Sequence, residues 1–221
     1  NIREQVLNPL SPDLAISYNN IGMVYKLKGD YDEALKWLNK ALKIQEQVLD
    51  SLSPDLAASY NNIGLVYHLK GDLDEALKWY DKALQIQEQV LNPLSPYLAG
   101  SYNNIGSVYK SQGNLDKAME FYDKALNIKE HVLNPLSPSL ATSYSNIGWV
   151  YMAQGNYDKA MEFYYKALKI DEQVLNPLSP DLAISYGNIG TVYLETENYN
   201  KALEYFNKAL PGFIKAYGEE H

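Results

Sequence analysis

The sequence predicts an all-α solenoid of antiparallel helix pairs, and three observations carry that prediction. The first is a period. Ser17-Tyr18-Asn19-Asn20-Ile21-Gly22 returns, lightly edited, at Ser59–Gly64, Ser101–Gly106, Ser143–Gly148 and Ser185–Gly190, always 42 residues on. A fixed spacing of that size means one supersecondary unit stacked on copies of itself. The second is punctuation, because helix start and stop signals fall at the same places in each copy. The third is apolar residues recurring at helical spacing in both halves of the unit.

One unit shows each element in turn. Ser11-Pro12 opens helix A: serine caps a helix start, and proline suits the first helical position because its missing N–H would be unpaired there. Ser53-Pro54, Ser95-Pro96, Ser137-Pro138 and Ser179-Pro180 repeat the signal. Helix A should run to about Lys28, with Gly29 as its left-handed terminal residue. Gly71, Gly113 and Gly155 match it, and the fifth copy places Glu197 there. Asp30 then caps helix B, and Glu33 completes a capping box. Asp72 and Glu75 match. Asn114, Asn156 and Asn198 pair instead with Lys117, Lys159 and Lys201, which should make slightly weaker starts. Helix B should run to about Leu49. Asn8-Pro9-Leu10-Ser11 and its equivalents turn the chain back, and connections this short make neighbouring helices antiparallel.

Periodicity assigns the faces. Leu14, Tyr18, Ile21, Gly22 and Tyr25 share one side of helix A; Tyr31, Ala34, Leu35, Leu38, Ala41, Leu42 and Leu49 share one side of helix B. Both stripes should face the stacking core, and they absorb most of the 20 tyrosines. The rest of helix B is charged (Asp32, Glu33, Lys36, Lys40, Lys43) and solvated. The rest of helix A carries almost no charge: it shows Ile16, Asn19, Asn20, Met23 and Leu27. A helix with a second uncharged face is expected to meet something other than bulk water.

Composition excludes whole classes of function. A net charge of −8 argues against nucleic-acid binding and against docking on an anionic membrane. With no cysteine there are neither disulfides nor thiolate chemistry, which fits a reducing compartment. No apolar run is long enough to span a bilayer. His68, His131 and His221 are scattered without a second ligand at metal spacing, and Asp30-x-Asp32-Glu33 lacks the glycine and terminal glutamate of a calcium loop. No nucleophile elbow, phosphate loop or zinc motif occurs, so catalysis, metals and cofactors are not expected.

The unit Tyr18-x-x-Ile21-Gly22-x-x-Tyr25, followed by Ala34-x-x-x-Leu38 and Ala41, resembles the tetratricopeptide repeat. Its helices are longer than usual and proline opens the next helix, a variety similar to the repeats of kinesin light chains and related cytoplasmic adaptors. The resemblance implies a right-handed superhelix with helix A on its concave side, a cytoplasmic location and a protein or peptide partner. It also implies that asparagines on helix A hold an extended peptide by its backbone. The matching positions are Asn20, Asn62, Asn104, Asn146 and Asn188, with a shorter row at Asn19, Asn61 and Asn103. A carboxamide both donates and accepts, so it can pair with any peptide unit. Specificity would then fall to Met23, Leu65, Trp149, Met152 and Leu194, and to the charges Lys26, His68, Lys110 and Glu195. The bland alternative for the asparagines is polar contact between adjacent A helices, or simple inheritance by duplication. A structural spacer in a larger protein, or a consensus-like engineered array, is the competing reading of the whole.

The expected layout is a single array over 1–221. Residues 1–10 copy the end of a helix B, so the chain reads as a fragment of a longer array. Repeats follow at 11–52, 53–94, 95–136, 137–178 and 179–210. The segment 211–221 diverges, and Leu210-Pro211-Gly212 should kink or break the last helix, with a short helix after it. With no polar capping helix at either end, end-to-end self-association is expected at high concentration.

Overall fold

The computed structural model describes residues 8–218. The remnant expected at 1–10 therefore lies mostly outside the described residues, as does His221. Ten α-helices and no strand occur among the described residues. They are α1 (Pro12–Leu27), α2 (Tyr31–Val48), α3 (Pro54–Lys70), α4 (Leu73–Val90), α5 (Pro96–Ser111), α6 (Leu115–Val132), α7 (Pro138–Ala153), α8 (Tyr157–Val174), α9 (Pro180–Glu195) and α10 (Tyr199–Tyr217). Odd numbers are A helices and even numbers are B helices. The chain forms two compact units, Asn1–Gly113 and Asn114–His221.

Local chemistry sets the helix ends. Ser53, Ser95, Ser137 and Ser179 accept a hydrogen bond from the backbone N–H two residues on, and proline follows each of them. Ser11 makes no such bond. Gly29, Gly71, Gly113 and Gly155 have φ between 73° and 87°, and Glu197 takes the same left-handed role at φ 57°. The capping box proves one-sided. Asp30 accepts from the Glu33 N–H at 3.3 Å, but the Glu33 carboxylate pairs with Lys36 at 2.8 Å. The Asp30 N–H goes to the Tyr25 carbonyl instead. Nor are the later starts less well capped: Asn114, Asn156 and Asn198 each accept from the N–H three residues on, while Asp72 makes no side-chain cap bond. In the B-to-A turns the Asn8, Asp50, Asn92, Asn134 and Asn176 side chains accept from the N–H two residues on, which fixes the reversal.

In the first unit α1 packs on α2, α2 on α3, α3 on α4 and α4 on α5. Its core joins Ala34, Leu35, Leu38 and Leu42 of α2 to Leu56, Ala57, Ile63 and Val66 of α3, with Ala83 and Ile86 of α4. In the second unit α7 packs on α6 and α8, and α9 on α8 and α10. Its core joins Ala160, Tyr164 and Leu168 of α8 to Leu182, Ile189 and Val192 of α9. Of the predicted B stripe in α2, Ala34, Leu35, Leu38, Ala41 and Leu42 are buried and Tyr31 and Leu49 half-buried. The A stripe is wider than periodicity suggested, because an inner A helix packs on B helices on both sides. Ala57, Val66, Val150 and Val192 are at most 1% exposed, at positions the one-face reading left out.

The last helix departs from expectation. Instead of breaking at Pro211, with a separate short helix after it, α10 runs unbroken from Tyr199 to Tyr217. Proline there forfeits one backbone hydrogen bond and crowds the preceding turn. Tertiary contact outweighs that: Gly212 is buried so tightly that a Cβ on it would stand 2.8 Å from the Ala183 Cβ and 2.9 Å from the Ser179 carbonyl. Within α10 itself Phe213 stacks on Tyr217.

Candidate functional site

The candidate surface is the side of each A helix that carries the asparagines. In the first unit Asn19, Asn61, Asn62, Asn103 and Asn104 are half-buried and Asn20 is exposed. Their environments are not alike. The Asn62 amide donates to the Asn19 carbonyl oxygen at 3.3 Å, tying α3 to α1. The Asn61 amide donates to the Ser101 hydroxyl at 3.2 Å, tying α3 to α5. The Ser101 hydroxyl donates in turn to Gln87 at 2.6 Å. Part of the row thus links adjacent A helices. Asn20, Asn104 and Asn188 differ: among the described residues their side chains make no hydrogen bond.

The flanking positions separate by unit. Met23, Lys26, Leu65, His68 and Lys110 are half-buried in the first unit. His68 lies 3.1 Å from the Ser111 hydroxyl, and burial lowers the pKa of its imidazole. Burial likewise lowers the Lys110 ammonium. In the second unit Trp149 and Met152 pack against the α8–α9 core, and the Tyr164 hydroxyl points at the Met152 sulfur at 3.9 Å. Both therefore have a packing role, with part of each side chain left open. Exposed apolar residues border the asparagines: Ile16 and Leu27 in α1, Leu69 in α3, Ile184 and Leu194 in α9.

A second set of polar contacts joins each B helix to the next A helix, and the sequence reading missed it. Tyr60, Tyr102, Tyr144 and Tyr186 donate their hydroxyls to Glu46, Glu88, Glu130 and Glu172 at 2.8–3.2 Å. Beside them the buried Ser59, Ser101 and Ser185 hydroxyls donate to Gln45, Gln87 and Asp171, each at 2.6 Å. At the fourth such place the Lys129 ammonium donates to the Ser143 hydroxyl at 2.8 Å. Burial and the glutamate push Tyr102, Tyr144 and Tyr186 up to about 12. Burial raises the Asp171 carboxyl. The available signal was the glutamate that stands fourteen residues before each of these tyrosines. In the second to fifth copies the serine and tyrosine of the repeated hexapeptide are thus junction residues.

Among the described residues no group of three or more His, Asp or Glu could hold a metal, and no helix is long and apolar enough to cross a membrane.

Comparison with known proteins agrees with the fold. A kinesin light chain of Podosopora anserina made of nearly identical TPR-like repeats superposes with a TM-score of 0.78 at 22% identity, over 94% of this chain and 98% of that one. BtubC (BKLC) from P. vanneervenii gives 0.81 at 24% identity, over 95% and 84%. The apo form of RapI gives 0.78 at 21% identity, over 91% and 71%. Among curated proteins no sequence matches. The tetratricopeptide repeat family model matches residues 1–47, 55–131 and 139–215, most of the sequence, and the chain belongs to the tetratricopeptide repeat family, with repeats resembling those of kinesin light chains.

Proposed function

We propose that this chain is an interaction scaffold that binds an extended peptide segment of a partner protein along its A-helix surface, with asparagines gripping the peptide backbone. The tetratricopeptide repeat is a protein–protein interaction fold, and the proposal adds the ligand and the grip. One observation carries it: Asn20, Asn104 and Asn188 bring unengaged carboxamides to an uncharged, partly apolar face. Asn62 and Asn61 hold neighbouring helices and contribute less directly; the full set remains Asn19, Asn20, Asn61, Asn62, Asn103, Asn104, Asn146 and Asn188. Met23, Leu65, Trp149 and Met152 would contact apolar side chains of the peptide, and Lys26, His68 and Lys110 its polar ones. Cytoplasmic residence belongs to the proposal and rests on the cysteine-free sequence and the kinesin-light-chain resemblance. Self-association of the array is its further part, supported by apolar surface at Val24 and Leu27 of α1 and along α10.

The test is a peptide-array screen with the whole chain, followed by calorimetry on the best peptide. Asn104→Ala and Asn188→Ala should keep the wild-type melting point and weaken binding roughly two- to tenfold each, the worth of one hydrogen bond. Unchanged affinity in both variants would remove the asparagine grip. The spacer reading is favoured by the Asn62–Asn19 and Asn61–Ser101 bonds. It predicts that Asn62→Ala lowers stability while no peptide is retained at all.

A further inference from the structure

The inner B helices bury one stripe against the next A helix: in α8, Tyr164 is 1% and Leu168 5% exposed. At the corresponding places α10 leaves its stripe open. Tyr199, Leu203, Phe206, Leu210, Ile214 and Tyr217 are 36–61% exposed. The stripe is also chemically different from its counterparts. Where α8 carries Asp171 and Glu172, the acceptors that hold the serine and tyrosine hydroxyls of α9, α10 carries Phe213 and Ile214. An A helix of the repeat type seated on α10 would find neither of those acceptors for its serine and tyrosine hydroxyls. The face suits an apolar helix instead.

We propose that the occupant is α10 of a second copy, packed antiparallel across a two-fold axis near Lys208. The stripe is close to self-complementary about that residue. Tyr199 and Tyr217 lie nine residues either side of it and Phe206 and Leu210 two, while Leu203 is matched at five by the half-buried Phe213. An isologous contact requires this property, since each residue meets the partner's copy of its counterpart. Charge places no obstacle. With 3.6 residues per turn, Lys201, Glu204, Lys208 and Lys215 all project from the opposite side of the helix. Lys208 is already paired with Glu204 at 2.7 Å. Size is adequate too. At roughly 200 Å² for each large side chain, the open stripe amounts to about 600 Å² per copy and about 1,200 Å² across a pair, the lower bound for a specific interface.

The inference rests on the self-association part of the proposed function and names its face and symmetry. Sedimentation velocity on the 221-residue chain should show a monomer–dimer equilibrium, complete at protein concentrations on the order of 100 μM. Leu210→Glu and Leu203→Glu each alter a half-exposed side chain and should keep the helical signal and melting point. Each should weaken dimerisation by about tenfold or more. The chain has no cysteine, so Asn207→Cys gives one thiol beside the two-fold, and a short bismaleimide should link it into a covalent dimer. A wild-type monomer at that concentration would overturn self-association altogether. A dimer indifferent to both glutamates and not linked through Asn207→Cys would spare self-association and overturn the α10 face. Growth beyond the dimer with concentration would mean head-to-tail stacking and overturn the two-fold.

Discussion

Substituting alanine for Gly148 in α7 should destabilise the chain, although glycine-to-alanine in a helix ordinarily does the reverse. In an open helical position the change is worth about 1 kcal/mol of stabilisation. Gly148 is not open. A Cβ there would stand 2.9 Å from Cδ1 and Cε1 of Tyr164 and 3.3 Å from the Ala160 carbonyl oxygen. The Tyr164 ring cannot swing away, being 1% exposed with its hydroxyl against Met152. Relief must come from moving α8 off α7, and overpacking of this kind costs about 1–3 kcal/mol. The two effects together give a net loss of up to about 2 kcal/mol, or a fall in melting temperature of up to roughly 8 °C for a chain of this length. Gly187 in α9 is the matched control, since a Cβ there meets nothing within 4 Å. Gly187→Ala should raise stability by about 1 kcal/mol. Both variants and the wild type would be melted side by side by far-ultraviolet circular dichroism. Hydrogen exchange on α7 and α8 would locate the change, because repeat arrays need not unfold in one step. If Gly148→Ala melts at or above the wild type, glycine is not what sets the approach of the two helices, and the packing argument fails.

Two further predictions concern the polar junctions. Asp171 is buried against Ser185, and its carboxyl is raised by burial, so the folded state prefers it neutral. Its contribution is greatest below the unfolded carboxylate pKa and is lost as pH rises through the folded one. Asp171→Gln supplies the residue that Gln45 and Gln87 provide in earlier copies, and should stabilise the chain at pH 7 by about 1 kcal/mol. Urea titrations at pH 7 and pH 4 should show that advantage shrinking at the lower pH; an equal gain at both would refute the ionisation argument. At the alkaline end, Tyr102, Tyr144 and Tyr186 are pushed from 10.0 up to about 12. The stability they confer is present below pH 10 and lost as pH approaches 12. The ring resonances of Tyr102, Tyr144 and Tyr186, followed by nuclear magnetic resonance alongside helicity, should shift late and with unfolding. Titration of these three near pH 10 with the helices intact would dismiss the junction.

Much of the fold was legible because its determinants are local. Serine and proline mark helix starts through the backbone groups they satisfy, and Gly29 or Gly71 marks an end through its own φ. The core stripe of helix B follows from 3.6-residue geometry alone. The candidate surface was legible only in outline: an uncharged second face on helix A could be read, but not which carboxamides the fold uses. Asn62 and Asn104 occupy the same place in the repeat, yet Asn62 is bonded to Asn19 while the Asn104 side chain makes no bond among the described residues. The choice depends on the neighbour each side chain meets: Asn61, the counterpart of Asn19 one repeat on, is bonded to Ser101.

The sequence by itself determined the 42-residue period, the helix pairs and the burial of tyrosine, leucine and alanine, since each follows from interactions within a few turns of one helix. Tertiary structure alone decided three things. It matched serine and tyrosine to acceptors fourteen residues earlier, because stacking brings the end of one B helix beside the next A helix. It engaged some asparagines and spared others. It carried α10 unbroken through Pro211, because the close approach of Gly212 to α9 outweighs one missing backbone hydrogen bond.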